Sequence, residues 1–450
     1  MDLSALDISR IQFAFVVTFH IIFPSFTIGL AAWLSVLEWR YQRTGKESYR
    51  KLFDFWLKVF GVSFGMGVVS GIVMAFQFGT NWSVLSERTG PIQGPLLGYE
   101  SFTAFILEAS FLGVVLFGRE KTSKGMYLLA CILVALGTTL SSFWIMANNS
   151  WMQVPVGHAI DAAGRIIPTD WRQIIGGHVF ITRWLHMLLG AYITTATVVA
   201  TVGAWYMLKK KSAELAKTMM VWGFGLMAVL IPVQMGLGHV AGLIIKDYQP
   251  AKFAAVEGRW DAATRAPLIL AAWPDNQAEK NKFEISIPVL GSIVDSGNPN
   301  SHEIGIKDIP KADRAPFLVP FCGFRIMVGL SILMLALSWV GVWKLWRHKI
   351  EESSVFLKIA PWFFPTGWIC VIAGWYTAEV GRQPWVVTGL LRTSDAVTPS
   401  LTMGHALLSL SIYVLVYVVV FGFGGRYIYR LLKAGPQEES SKPELANGGV

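Results

Sequence analysis

Nine apolar runs, each long enough to cross a lipid bilayer, constrain this chain more than any other feature. They cover approximately residues 11–39, 55–78, 95–118, 126–146, 181–208, 218–245, 318–346, 356–379 and 401–429. Crossing a hydrocarbon core of about 30 Å takes about 20 helical residues at a rise of 1.5 Å each. In lipid the backbone must satisfy its own hydrogen bonds, which leaves helices or a closed barrel. Runs of this length predict an all-α membrane protein with nine transmembrane helices. The composition agrees, at 53% hydrophobic and 15% charged, against roughly 25% charged in soluble domains. The 19 tryptophans suit aromatic belts at two interfaces.

The net charge of +9 does not point to nucleic acid, because of where the basic residues fall. They cluster after runs one, three, five and seven, as Arg40, Arg43, Lys46, Arg50 and Lys51, then Arg119, Lys121 and Lys124. Lys209, Lys210, Lys211 and Lys217, and then Lys344, Arg347, Lys349 and Lys358, complete the set. The short loops on the other side carry only Arg88, Arg165, Arg172, Arg382 and Arg392. Basic loops stay in the cytoplasm, so the N-terminus is expected outside and the C-terminus inside. The opening MDLSALDISR lacks the basic n-region of a signal peptide, and the first span is expected to be retained. Cys131, Cys322 and Cys370 fall within apolar runs and read as small core residues. Residues 1–245 form spans one to six, 246–317 an extracytoplasmic loop, 318–432 spans seven to nine, and 433–450 a disordered cytoplasmic tail. A loop this long is functional or disordered.

Several polar residues lie where lipid makes them expensive. A charge at mid-bilayer costs roughly 2.5–3.5 kcal/mol on insertion scales, so such residues are functional candidates. His20, Glu100, His186, Met327 and Glu379 all fall in the outer halves of their runs, which suggests one site or several close together. His186 and Met327 lie at similar depth and are the residue types that hold the two axial positions of a low-spin haem. Methionine is more often core filler, and Met327 is one of 15. Arg325, two residues earlier, suits a haem propionate or plain interfacial snorkelling. His20 is a candidate ligand for a second haem, or a histidine hydrogen-bonded between helices, with Pro24 a kink beside it. Glu100 and Glu108, about 12 Å apart along one helix, suit a proton relay or structural ion pairs. Glu379 can ligate iron with Arg382 on a propionate, or the two can form an interfacial pair. In the loop, Lys252 and Glu257 can bind and deprotonate a quinol hydroxyl, or form an exposed helical pair.

The stretches TFHIIFPSFTIGLA, YESFTAFILEASFLG, RWLHMLLGAY, QPAKFAAVEGRW, CGFRIMVG and GWYTAEVGRQPW lie in this order along the chain. Together the chain resembles subunit I of the cytochrome bd-type quinol oxidases over roughly residues 5 to 430. The resemblance implies a low-spin haem b on His186 and Met327. It implies a high-spin haem b and a haem d, or a further haem b in place of d as in cyanide-insensitive members, on His20 and Glu379. Which of the two holds which haem stays open. Trp375, Arg325 and Arg382 are expected at the cofactors, Glu100 and Glu108 as catalytic groups on the proton path, and Lys252 and Glu257 in a short-form quinol-binding Q-loop. The implied partners are subunit II, a single-span small subunit, ubiquinol or menaquinol, oxygen and lipid, with no nucleic acid. The implied location is the bacterial cytoplasmic (inner) membrane, and the implied work is non-pumping but electrogenic reduction of oxygen to water. Two rivals stand beside this reading. A proton-coupled transporter also uses buried carboxylates and histidines, and an electron-transfer-only b-type cytochrome needs only His186 and Met327.

Overall fold

A computed structural model describes residues 4–436. Among these residues, nine helices are long and apolar enough to cross a membrane: Ala5–Thr44, Glu47–Thr80, Ser83–Phe117, Lys124–Gln153, Phe180–Leu208, Ala213–Tyr248, Leu318–Trp346, Ser354–Val380 and Met403–Ala434. We number them spans one to nine. The last span ends at Ala434; residues 437–450, most of the expected disordered tail, lie outside the described residues.

Two spans are broken where the sequence gives reason. Span one consists of helix Ala5–Ile22 and helix Pro24–Thr44, joined at Phe23. Proline has no N–H to donate and fits the first turn of a new helix. In span three, helix Ser83–Tyr99 passes into a π-helix at Glu100–Phe105 before helix Ile106–Phe117 resumes. Such bulges occur mostly as single turns and often at functional sites. The eight-residue spacing of Glu100 and Glu108 therefore does not follow regular α geometry.

The second half of span one is the central post, packed against spans two, four and five. Its first half meets spans two, eight and nine. Spans five and seven each pack against six and eight. A large apolar core fills the side of the bundle that carries the basic loops, with Leu37, Leu52, Phe53, Trp56 and Tyr206 almost fully buried. At that same side Arg119 of the third loop reaches buried Glu38, Nη2 to Oε2 2.7 Å.

The segment between spans six and seven is ordered. It holds a helix at Pro250–Glu257, an antiparallel hairpin of Leu268–Asp275 with Lys280–Ile287, and a helix at Leu290–Ser296. A further short pair joins Ala263–Thr264 to His302–Glu303. A small core of its own holds it, with Trp260 stacked on Phe317 at 4.0 Å between centroids. Such an aromatic pair contributes roughly 0.5–1.5 kcal/mol beyond burial. The hairpin strands are bulged, which hides them from a search for periodicity.

Candidate functional site

One cavity of about 1,920 Å³ occupies the side of the bundle next to this loop, where single ligand sites run to roughly 1,000 Å³. His20, His186, Met327, Glu379, Glu100 and Glu108 all line it. So do Trp375, Arg382, Lys252 and Glu257. Of the residues singled out from sequence, Arg325 is the exception. Its guanidinium donates to the carbonyls of Ile269 (2.7 Å from Nη2) and Val256 and lies 3.8 Å from Glu257 Oε2, so it ties span seven to the loop.

The candidate ligands share a construction. His20 Nδ1 lies 3.0 Å from Ser70 Oγ on span two. Ser70 has one proton, which it donates to Met66 O or Gly67 O at 3.0 and 2.9 Å. Its oxygen is therefore free to accept from Nδ1–H, which leaves the Nε2 lone pair for a metal. Such a second partner is how ligating histidines are held. A Cβ on Gly71 would come within 3.1 Å of this imidazole, so the ring lies against bare backbone. His186 meets Gly238 of span six in the same way (3.2 Å), and its Nδ1 is buried without a hydrogen-bond partner. The Met327 sulfur faces Gly374 of span eight (3.0 Å). Among the described residues no three His, Cys, Asp or Glu converge as an ion site. Single axial donors spread over separate helices suit a macrocycle that brings its own equatorial nitrogens.

Glu379 lies at the C-terminal end of span eight in a cluster that engages both of its oxygens. Its Oε1 accepts from Asn149 Nδ2 (3.0 Å) and Gln153 Nε2 (3.1 Å), its Oε2 from Arg382 Nη2. Arg183 donates to Asn149 Oδ1 at 2.6 Å, and Lys252 donates to Gln153 and to Gln249 Oε1 (2.9 Å). Three basic side chains thus surround one carboxylate, and Arg382 Nε and Nη1 are buried without a partner. Unpaired buried cations are costly, so this cluster fits the propionates of a haem. Burial holds the Lys252 amine well below the usual lysine range, with Arg183 and Arg382 adding to it. Arg183, Asn149 and Gln153 escaped the sequence reading. Only Arg183, three residues before His186 in a span end, carried a signal.

Glu100 Oε1 accepts from Ser141 Oγ at 2.9 Å. Glu108 fits against Gly137, where a Cβ would lie 2.6 Å from its Cγ. Lys252 and Glu257 line one cavity from different clusters, Lys252 beside Glu379 and Glu257 beside Arg325 and Arg259.

Fold and site define a polytopic helical membrane protein built around a large internal chamber lined by two histidines, a methionine and a glutamate, each from a different span or half-span. The family described as cytochrome bd terminal oxidase subunit I matches residues 8–436, and the chain belongs to it. It is 33% identical to cytochrome bd ubiquinol oxidase subunit 1 of Bacillus subtilis (strain 168), over 97% of this chain and 96% of that one. It is 30% identical to cytochrome bd-II ubiquinol oxidase subunit 1 of Escherichia coli (strain K12), over 98% and 99%. The solved bd oxidase of Geobacillus thermodenitrificans superposes with a TM-score of 0.89 at 26% identity, over 96% of this chain and 99% of that one.

Proposed function

We propose that this chain is the haem-bearing subunit of a quinol oxidase of a bacterial cytoplasmic membrane, with the N-terminus outside and the C-terminus inside. Two quinols are oxidised for each oxygen reduced to two waters, the quinol protons leaving outside and the protons for water coming from the cytoplasm. Charge separation then needs no pump. The observation that carries this reading is the convergence of His20, His186, Met327 and Glu379 on one cavity that also takes in Glu100, Glu108 and the loop residues Lys252 and Glu257.

His186 and Met327 hold a low-spin haem b; His20 and Glu379 hold the two high-spin haems, b and either d or a further b. Bound haem supplies iron that passes electrons from donor to oxygen. The chain's own residues do the rest. Glu257 takes the quinol hydroxyl proton at the outer loop, residues 246–317, which is the quinol-binding segment. Arg382, Arg183 and Lys252 balance carboxylates beside Glu379, and Trp375 packs at the cofactors. Glu108 passes protons by way of Glu100 to the oxygen site. A subunit II and a single-span small subunit complete the assembly, with ubiquinol or menaquinol as donor.

The test is optical. Purified protein should show haem absorption, and carbon monoxide should perturb the reduced spectrum. A colourless protein would favour a transporter, and a coloured one blind to carbon monoxide an electron-transfer-only cytochrome.

A further inference from the structure

Glu257 closes its helix beside a charge cluster that the quinol reading leaves unused. The turn at Gly258 (φ +80) packs against the Phe321 ring and brings Arg259 back under the helix, its N–H bonded to Ala254 O at 2.9 Å. Buried there, Arg259 Nη2 donates to Asp295 Oδ2 and lies 3.9 Å from Glu257 Oε2. Its Nη1 lies 3.9 Å from Glu303 Oε2. One guanidinium therefore faces three carboxylates, each from a different segment. Lys246 of span six pairs with Glu303 at 2.8 Å and caps the Asp295 carbonyl at 3.1 Å. Arg325 approaches Glu257 from span seven at 3.8 Å. These are the charged groups facing Glu257 and Asp295, and fully ionised they cancel. Glu257 Oε2 is buried and lacks a hydrogen-bond partner, and Glu257 and Asp295 both line the cavity.

We infer that Asp295 is a positioning residue for quinol oxidation, which holds the Arg259 guanidinium off Glu257 so that the carboxylate stays basic enough to take the quinol proton. The inference rests on the loop being the quinol site. In the step concerned the quinol O–H bond breaks, its proton bonds to a Glu257 oxygen, and the electrons leave for oxygen, the oxidant. The proton is then released outside before the next transfer. Without Asp295 the same guanidinium has Glu257 as its nearest remaining anion on the Nη2 side. Loss of the Asp295 charge and re-aiming of Arg259 both favour ionised Glu257. Burial already holds the Glu257 carboxyl above its ordinary range, with Arg325 and Arg259 opposing and Asp295 and Glu303 adding to it.

The experiment uses the purified holo-complex, with short-chain ubiquinol and menaquinol as probes and a soluble artificial donor that bypasses the loop. Asp295→Asn should move the acid limb of kcat/KM for quinol to lower pH by about one unit, and Asp295→Glu should restore it. Arg259→Gln removes a cation and should move the limb upward. Haem spectra and artificial-donor rates should match those of the unaltered protein. An unmoved limb in Asp295→Asn and in Arg259→Gln would overturn the inference while leaving the quinol site standing. Unaltered quinol oxidation in Glu257→Gln would instead overturn the loop as quinol site, and the inference with it.

Discussion

His20, His186 and Met327 each face a glycine on a neighbouring helix, and that pairing does two things at once. Bare backbone at Gly71, Gly238 and Gly374 lets the donor side chain lie flat against the next helix. It also limits the rotamers open to that side chain, because the space on that side is already taken. A ligand held so needs little ordering when its group binds. For Met327 the consequence is testable. Leucine is close to methionine in volume, and such swaps usually cost less than about 1.5 kcal/mol, so Met327→Leu should fold and insert. It should lose the low-spin haem spectrum while the carbon monoxide-binding signal persists; an unchanged low-spin spectrum would remove Met327 as ligand. That His20, His186, Met327 and Glu379 line one cavity was legible from the sequence, since imidazole, thioether and carboxylate stand out in apolar runs. Their partners were not. Ser70, Asn149 and Gln153 are ordinary polar residues whose contacts span up to 230 positions of sequence, as from Asn149 to Glu379. No local pattern announces such a pairing.

At the scale of the element, the π-turn at Glu100–Phe105 lies in the stretch that joins Glu100 to Glu108, and the two face the cavity together. A π-turn holds one more residue than an α-turn between hydrogen-bonded partners. A π-turn takes up its extra residue in nearly the rotation of the α-turn it replaces, so deleting one residue there should restore regular helix and leave the two carboxylates facing as before. Phe102 is the residue to delete, since it is 73% exposed. The deletion should leave oxygen reduction by the fully reduced protein within twofold, whereas Glu108→Leu should slow it at least tenfold. A tenfold loss in the deletion would instead tie proton delivery to the π-turn itself and not to the shared facing of the two carboxylates. Nine spans could be read in advance because about 20 apolar residues leave few alternatives. The π-turn could not, since ESFTAF differs in nothing obvious from α-helical sequence. Proline marked the break after Phe23, yet whether it would kink one helix or start another depended on packing against spans two and eight. The loop strands, bulged and half exposed, offered no alternation to count.

Across the whole molecule, chamber and solid core occupy opposite sides. The chamber lies beside the 246–317 segment, and the close-packed apolar core lies towards the basic loops, where Glu38 pairs with Arg119. If basic loops mark the cytoplasm, donors reach the chamber from outside, while protons drawn from inside must cross the core. On the proposed reaction that division would make turnover electrogenic, and its sign depends on which way the chain faces. The hairpin of the loop supplies a direct reporter. Phe283 is 89% exposed within it, and chymotrypsin cleaves after exposed aromatic residues. Protease added to right-side-out vesicles should cut at Phe283 and abolish quinol oxidation, because the cut severs Glu257 from Asp295 and Glu303. Oxidation of an artificial donor that enters elsewhere should survive. Inside-out vesicles should protect the site fully until detergent is added, and a Phe283→Ser variant should resist the cut from either side. Cleavage at Phe283 from the cytoplasmic face alone would reverse the topology. Quinol protons would then be released inside and the protons for water drawn from outside, so turnover would dissipate a gradient instead of building one.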